Sequence, residues 1–298
     1  MADRDTRLTL TAGLASVAVS AALVGLKLWA LAATGALSIA ASLADSALDL
    51  MMSLAAAAAL VYAARPADED HAFGHSSAED LAALAQAVFI LGSAGLIGWT
   101  AIGRLTAPQA PALAAEGLGI SVMLASMALT LALVWWQGRV ARATGSRVVA
   151  ADRLHYIGDL LPGAGAILAL YASSRWGLAR VDGVVALVAA LAMVWGALRI
   201  GRGAWDALMD RRADPQVIET IAAMARGWPG VHGFHDLKTR TAGRRIFVHL
   251  HIELDGEQSL REAHDIGAGL RRAILETYPQ ADVIIHKDVA PKDGRPGS

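Results

Sequence analysis

Long apolar stretches separated by short polar segments make up the first two thirds of the chain. Six of these stretches reach the roughly 20 apolar residues that a helix needs to cross the hydrocarbon core of a bilayer. They span residues 8–33, 36–64, 79–105, 111–138, 146–173 and 181–207. The pattern predicts an α-helical membrane protein with six transmembrane helices. The charged segment 1–7 is followed by no small-residue cleavage signal, so the first stretch is predicted to be a membrane helix rather than a removed signal peptide.

The pattern changes after Arg212 to one that is typical of a small soluble α/β domain. Asp214 and Pro215 predict an N-cap and a first helical residue, and the Gly-Trp-Pro-Gly segment at 227–230 predicts the end of that helix. Two strands are predicted to follow, at Val231–Thr241 and Arg245–Asp255, with a tight turn at residues 242–243 between them.

One more helix and one more strand are predicted at the end of this domain. Ser259 and Glu262 have the spacing of a capping box, for a helix that ends before Pro279. A short last strand is predicted at Asp282–Ile285. The order αββαβ predicts a compact sheet with helices on one face. The predicted domains are therefore a membrane domain at 1–210, a soluble domain at 211–290 and a disordered tail at 291–298.

The composition agrees with membrane embedding and limits the chemistry. Of 298 residues, 55% are hydrophobic, which is too apolar for an ordinary soluble domain. The net charge of −1 argues against a nucleic-acid partner, which needs a basic surface. There is no cysteine, so any metal must be bound by imidazole and carboxylate groups.

Basic residues near the ends of the six stretches predict how the chain is oriented in the membrane. With the N-terminus inside, ten arginines fall on the cytoplasmic side and three on the other. The ten are Arg4, Arg7, Arg65, Arg139, Arg142, Arg147, Arg199, Arg202, Arg211 and Arg212. Both termini are therefore predicted to be cytoplasmic.

Paired ionisable residues inside two of the apolar stretches are the first candidate site. Asp45 and Asp49 are four residues apart in the second stretch, and His155 and Asp159 have the same spacing in the fifth, so each pair shares one helix face. A charge at the bilayer centre costs about 2.5 to 3.5 kcal/mol and needs a partner. Three carboxylates and one imidazole favour tetrahedral Zn²⁺, or Cd²⁺, Co²⁺ or Fe²⁺, over Cu(I). The alternative is a hydrogen-bonded network without metal.

The loop between the second and third stretches contains a second candidate site. Asp68, His71 and His75 are close enough in sequence to converge on one metal. A polar cytoplasmic loop also carries such residues for solubility alone, and the spacing leaves both readings open.

Histidines are concentrated in the soluble domain, which predicts a third metal site there. His249 and His251 alternate along the second predicted strand and so share a face, and His286 shares a face with Asp288 in the same way. His235 lies in the first strand and His264 in the capped helix. The alternative is that these histidines are isolated and solvated at the surface.

Taken together, the motifs resemble those of the cation diffusion facilitator family, in particular its bacterial zinc and iron efflux transporters of the YiiP/FieF type. The resemblance is carried by Asp-x-x-x-Asp, by His-x-x-x-Asp, by Pro-Ala-Asp-x-x-His-x-x-x-Gly-His starting at Pro66, and by His235-Asp236-Leu237 and Ile284-Ile285-His286-Lys287-Asp288. It covers nearly the whole chain.

The resemblance implies a homodimeric metal/proton antiporter of the bacterial inner membrane, with a ferredoxin-like cytoplasmic domain and no organic cofactor. It assigns Asp45, Asp49, His155 and Asp159 to the transport site and Asp68, His71 and His75 to a loop site. A binuclear cytoplasmic site would use His235, His251, His264, His286 and Asp288. His232 and His249 match no ligand of the family.

The chain departs from the family pattern after His75. Relatives have Gly-Lys-Ala-Glu there, whereas this chain has Ser76-Ser77-Ala78-Glu79. A dimer contact that depends on that lysine cannot form with Ser77. Ser76 and Glu79 have the spacing of a capping box for the third membrane helix.

The residues themselves favour a transporter over two rivals. An intramembrane protease would place its two aspartates on facing helices, whereas Asp45 and Asp49 share one helix and are opposed by a histidine. A membrane-anchored metal sensor would need only the histidines of the tail, and would not explain ionisable residues in the hydrocarbon. Because metal ligands must be deprotonated to bind, a transport site of this kind is expected to exchange metal for protons.

Overall fold

The computed structural model describes residues 2–34, 37–106, 117–160 and 181–291. These residues form two compact units that divide near Asp206, and each unit is described by itself.

Long helices make up the first unit. They are α1 (Ala2–Thr34), α2 (Leu37–Ala63), α3 (Ser77–Thr106), α4 (Gly117–Thr144), α5 (147–160, the described part) and α6 (Val181–Leu208). Within the described ranges, α1, α2, α3 and α6 each contain a segment long and apolar enough to cross a membrane. The predicted membrane domain is thus confirmed as helical, while the count of six spans stays a prediction. Residues 161–173 of the fifth predicted span lie outside the described residues.

The helix bounds follow the hydrophobic pattern closely, with three differences. Helix α1 begins at Ala2, six residues before the predicted span at residue 8, because a hydrophobicity pattern does not count the charged residues of its first turns as membrane. Helix α4 continues to Thr144, six residues past the end of the predicted span at residue 138, because its last turns carry polar residues that a hydrophobicity pattern does not count as membrane. Helix α3 begins at Ser77, where the backbone carbonyl of Ser76 accepts the amide of Glu79.

Polar side chains form a buried layer between four helices of this unit, which we call the polar layer. Asp152 of α5 accepts hydrogen bonds from Ser16 of α1 at 2.7 Å and from Gln137 of α4 at 2.6 Å. Ser53 of α2 and Tyr156 of α5 are hydrogen-bonded at 2.7 Å. In a bilayer, where helices gain little from hydrophobic contact with one another, such bonds help to fix the helix arrangement.

The second unit has the predicted order αββαβ. Its elements are α7 (Pro215–Arg226), β1 (Gly233–Ala242), β2 (Arg245–Leu254), α8 (Leu260–Thr277) and β3 (Ala281–Val289). The sheet order is β1-β2-β3, with β1 antiparallel and β3 parallel to β2. Buried aliphatic residues of β2, among them Val248, Leu250 and Ile252, pack with Ile221 of α7 and Leu270 of α8.

Both helix starts in this unit are confirmed. The Asp214 side chain caps α7 by accepting the amide of Gln216, with Pro215 as first helical residue. Ser259 and Glu262 form the predicted capping box of α8.

The strands differ from the prediction in length and regularity. Strand β3 runs for nine residues rather than the predicted four, because its pairing with β2 continues beyond the apolar segment through His286 to Val289. The turn residues between β1 and β2 are Gly243, with φ of +54°, and Arg244. A bulge that the sequence did not predict interrupts β1 between His235 and Lys238, and Asp236 there has φ of +51°. The predicted tail 291–298 lies outside the described residues except for its first position.

Candidate metal centres

The first cluster lies among the apolar helices, where α2 and α5 meet. Ligand atoms of Asp49, His155 and Asp159 all lie within 4.8 Å of one another. The Nε2 atom of His155 is 3.1 Å from Oδ1 of Asp49 and 3.7 Å from Oδ2 of Asp159. One imidazole nitrogen therefore faces two carboxylates, which is an arrangement that a divalent cation can bridge.

Packing holds the His155 ring in place. It is buried, with the rings of Phe89 and Tyr156 centred 5.6 Å and 5.5 Å away. Its other nitrogen, Nδ1, is also buried and has no hydrogen-bond partner among the described residues. Nε2 is therefore the nitrogen that faces the two carboxylates.

Two further residues stand beside this cluster. Asp45 is exposed and is not among the three residues brought within 4.8 Å of one another. Lys27 of α1, which the sequence reasoning missed, interacts electrostatically with Asp45, Asp49 and Asp159. A lone lysine in an apolar stretch was visible in the sequence, but only the fold shows which carboxylates it faces.

Asp68, His71 and His75 form the second cluster, in the loop between α2 and α3. Oδ1 of Asp68 is 3.2 Å from Nδ1 of His71, and Oδ2 is 3.2 Å from Nε2 of His75. The backbone amide of His71 donates to Asp68 at 2.7 Å and holds the pKa of that carboxyl below its usual value. Asp68 is thus ionised and bridges the two imidazoles.

The buried member of the loop cluster, His75, is held by a backbone carbonyl. Nδ1 of His75 lies 3.1 Å from the carbonyl oxygen of Pro66. A proton on Nδ1 donates to that carbonyl and leaves the lone pair on Nε2, the nitrogen that faces Asp68. Histidine ligands of metals are commonly fixed by a bond of this kind.

A row of histidines across the sheet forms the third cluster. The strand register pairs His235 with His251, and His251 with His286, so that three neighbouring strands each contribute one imidazole. Ligand atoms of His235, His251 and Asp288 lie within 4.8 Å of one another.

Asp288 is the centre of this row. Its Oδ2 atom is 2.9 Å from Nδ1 of His251 and 3.4 Å from Nε2 of His235, while Oδ1 is 3.2 Å from Nε2 of His286. The two oxygens thus face different imidazoles, as a carboxylate that bridges two ions would. His264 is exposed on α8 and lies outside the group of three, and so do His232 and His249.

Glu253 is a second residue that the sequence reasoning missed. It is buried on β2, and its Oε1 atom is 3.0 Å from Nδ1 of His235. The carboxylate accepts the Nδ1 proton and leaves Nε2 facing Asp288, which is a carboxylate–histidine arrangement common around metals. The alternation of β2 places Glu253 on the face of His251, and this was the available signal.

Apolar spanning helices with an ionisable cluster inside, and two more clusters outside, define a membrane protein that handles divalent metal ions. Comparison with known proteins agrees. A model of the cation efflux transmembrane domain matches residues 13–209, and one of the cation efflux protein cytoplasmic domain matches residues 213–289.

Known proteins match nearly the full length of the chain, and solved structures match about a quarter of it. The cation-efflux pump FieF of Klebsiella pneumoniae is 41% identical over 282 residues, covering 95% of this chain and 93% of that protein. FieF of Serratia proteamaculans is 40% identical, covering 98% and 97%. A solved structure of the putative zinc transporter CzrB is 31% identical over 26% of this chain and 99% of its own, with a TM-score of 0.26. The metal-bound C-terminal domain of CzcD from Thermotoga maritima is 29% identical over 25% of this chain and 87% of its own, with a TM-score of 0.24.

The chain belongs to the cation diffusion facilitator family and is of the FieF type, which confirms the resemblance carried by the motifs. It is therefore a membrane-spanning transporter that exports divalent metal cations, and not an enzyme.

Proposed function

We propose that the protein exports Zn²⁺ from the cytoplasm in exchange for protons, through a tetrahedral site formed by Asp45, Asp49, His155 and Asp159. The observation that carries the proposal is the convergence of Asp49, His155 and Asp159 among apolar helices. Groups so costly to place in hydrocarbon need a function there. Asp45, one turn before Asp49 on the same face of α2, would complete the four ligands when the ion binds.

The chemistry of the ligands supports zinc. Imidazole nitrogen with carboxylate oxygens suits Zn²⁺, and the absence of cysteine from the chain disfavours Cu(I). Cd²⁺ and Fe²⁺ are the next candidates, because ligand type, site geometry and metal availability, rather than raw affinity, decide which divalent ion such a site binds.

Exchange for protons follows from the same donor atoms. Asp49, His155 and Asp159 bind metal only when deprotonated, so that binding releases protons and arriving protons displace the ion. A proton gradient directed into the cell then drives the metal out.

We propose that the loop and cytoplasmic clusters hold resident metal and tune transport. The donor sets fit, since both present imidazole nitrogens to a shared carboxylate, Asp68 in the loop and Asp288 in the sheet. We also place His264 and His286 in the cytoplasmic site, and we propose that the protein is a homodimer. The proposed setting is the bacterial inner membrane, with both termini cytoplasmic and the domain boundary near residue 210.

Reconstitution tests the proposal. Purified protein in liposomes should move Zn²⁺ when a pH difference is imposed, and Asp49→Ala should abolish that movement. Leu48→Met is the matched control, because Leu48 is the exposed neighbour on the same helix and should leave transport unchanged. Full transport by Asp49→Ala would refute the site, and zinc movement that ignores the pH difference would refute the antiport.

A further inference from the structure

Lys27 of α1 is a cationic group beside the transport site that the ligand set does not use. It is partly buried, and its ammonium group donates to Oγ of Ser46 at 2.6 Å. Ser46 is itself buried and lies on α2 between Asp45 and Asp49. The contact therefore holds the ammonium group alongside the helix that carries two of the carboxylates.

The charge of Lys27 acts on all three carboxylates of the site. It attracts Asp49, Asp45 and Asp159. At the low polarity of the membrane interior such attractions are stronger than in water. The negative charge of the three carboxylates in the metal-free site is thus partly balanced by a cation that is covalently attached to the chain.

The same charge opposes the metal. A divalent ion among these carboxylates is repelled by the nearby ammonium group and must share the carboxylates with it. With His155 neutral, three carboxylates, one ammonium group and one divalent ion leave the filled site without net charge. Lys27 therefore lowers the free energy of the metal-free site, and it also weakens the binding of the metal.

We propose that Lys27 is a tethered cation that competes with the transported metal for the carboxylates and so sets the affinity of the site low enough for release. The inference rests on the proposed function, because it assumes that Asp45, Asp49 and Asp159 bind the transported ion. It gives Lys27 a role in affinity without making it a ligand, and gives Ser46 the role of holding its ammonium group.

Two measurements test the role of Lys27. Both are made at pH 8, where few protons compete with Zn²⁺ for the ligands. The first is Zn²⁺ transport in proteoliposomes by wild type, Lys27→Met and Lys27→Arg. Lys27→Met should lower KM about tenfold, equivalent to about 1.4 kcal/mol, and should lower the maximal rate because release is slower. Lys27→Arg keeps the charge and should stay within about threefold of wild type.

The second measurement is equilibrium Zn²⁺ binding to the full chain in detergent, with His75→Ala and His251→Ala present to disable the other two clusters. Lys27→Met should bind about tenfold more tightly, and Ser46→Ala should shift affinity in the same direction by less. Unchanged or weaker binding in Lys27→Met would overturn the proposal, since a merely structural lysine would lose affinity and rate together. A third outcome separates the two proposals: Lys27→Met binds Zn²⁺ more tightly, but wild type transports no Zn²⁺. That outcome would support the competition between Lys27 and the metal and would refute the proposed transport function.

Discussion

The hydroxyl group of Tyr156 makes three hydrogen bonds in the polar layer. It lies 3.2 Å from Oγ of Ser16 and 2.7 Å from Oγ of Ser53, and is also hydrogen-bonded to Ser20. The side chain is 1% exposed, so water does not reach it. Replacing Tyr156 by Phe removes the hydroxyl group and leaves the ring, and with it the contact of that ring with His155.

The expected loss follows from the number of bonds. Hydrogen bonds between membrane helices contribute about 0.6 kcal/mol each on average, so the three bonds of Tyr156 give about 2 kcal/mol. Because the ring keeps its packing, no cavity adds to this figure. Tyr156→Phe should therefore lower the free energy of unfolding by about 2 kcal/mol.

Unfolding of the purified protein in detergent, followed by circular dichroism during titration with a denaturing detergent, measures this loss. Tyr62→Phe is the matched control: the Tyr62 ring contacts His75, and none of the hydrogen bonds found among the described residues involves its hydroxyl group. That variant should lose less than about 0.5 kcal/mol. A loss that small in Tyr156→Phe, or equal losses in both variants, would refute the view that the polar layer stabilises the helix arrangement.

Four further predictions concern other parts of the chain. Arg147 pairs with the buried Asp80, so Arg147→Met should lower stability by about 3 kcal/mol, and adding Asp80→Leu should recover most of it, as measured by the same unfolding assay. Ser259→Ala should cost about 1 kcal/mol in unfolding free energy through loss of the helix cap. The backbone amide of Ser259 lowers the pKa of Glu262 from its ordinary 4.5. The stability that Glu262 contributes is therefore present above pH 4.5 and is lost as the pH falls through the lowered pKa. Acid unfolding of Glu262→Gln, measured beside wild type, should show this loss. Glu253→Gln should weaken Zn²⁺ binding at the cytoplasmic cluster about tenfold or more, measured by chelator competition, and unchanged affinity would contradict its role behind His235.

The sequence predicted those features that depend on residues close to one another in the chain. The caps at Asp214 and Ser259 depend on side chains that bond to amides two or three residues away, and both are present. The spacing of His155 and Asp159 placed them on one helix face for the same reason.

Features that depend on distant parts of the chain were not predictable in this way. The bulge at Asp236 and the full length of β3 depend on pairing with β2, which the residues of β1 and β3 alone do not show. Lys27 is 22 residues from Asp49 in sequence, and only the packing of α1 against α2 brings its charge to the site. Sequence spacing put Asp45 and Asp49 together on α2, but it did not show that only Asp49 joins His155 and Asp159 in a group whose ligand atoms lie within 4.8 Å of one another.

The three clusters differ in how their histidines are held, and this difference matches the roles proposed for them. Nδ1 of His75 bonds to the Pro66 carbonyl and Nδ1 of His235 bonds to Glu253, so each ring is fixed with Nε2 turned to a carboxylate. Nδ1 of His155 lacks such a bond within the part of the chain that the structure describes. Bonds of this kind raise metal affinity about 10- to 100-fold. This support fits the proposed role of the outer clusters, which is to retain an ion, whereas its absence at His155, together with the nearby charge of Lys27, fits the proposed transport site, which must release its ion in every cycle.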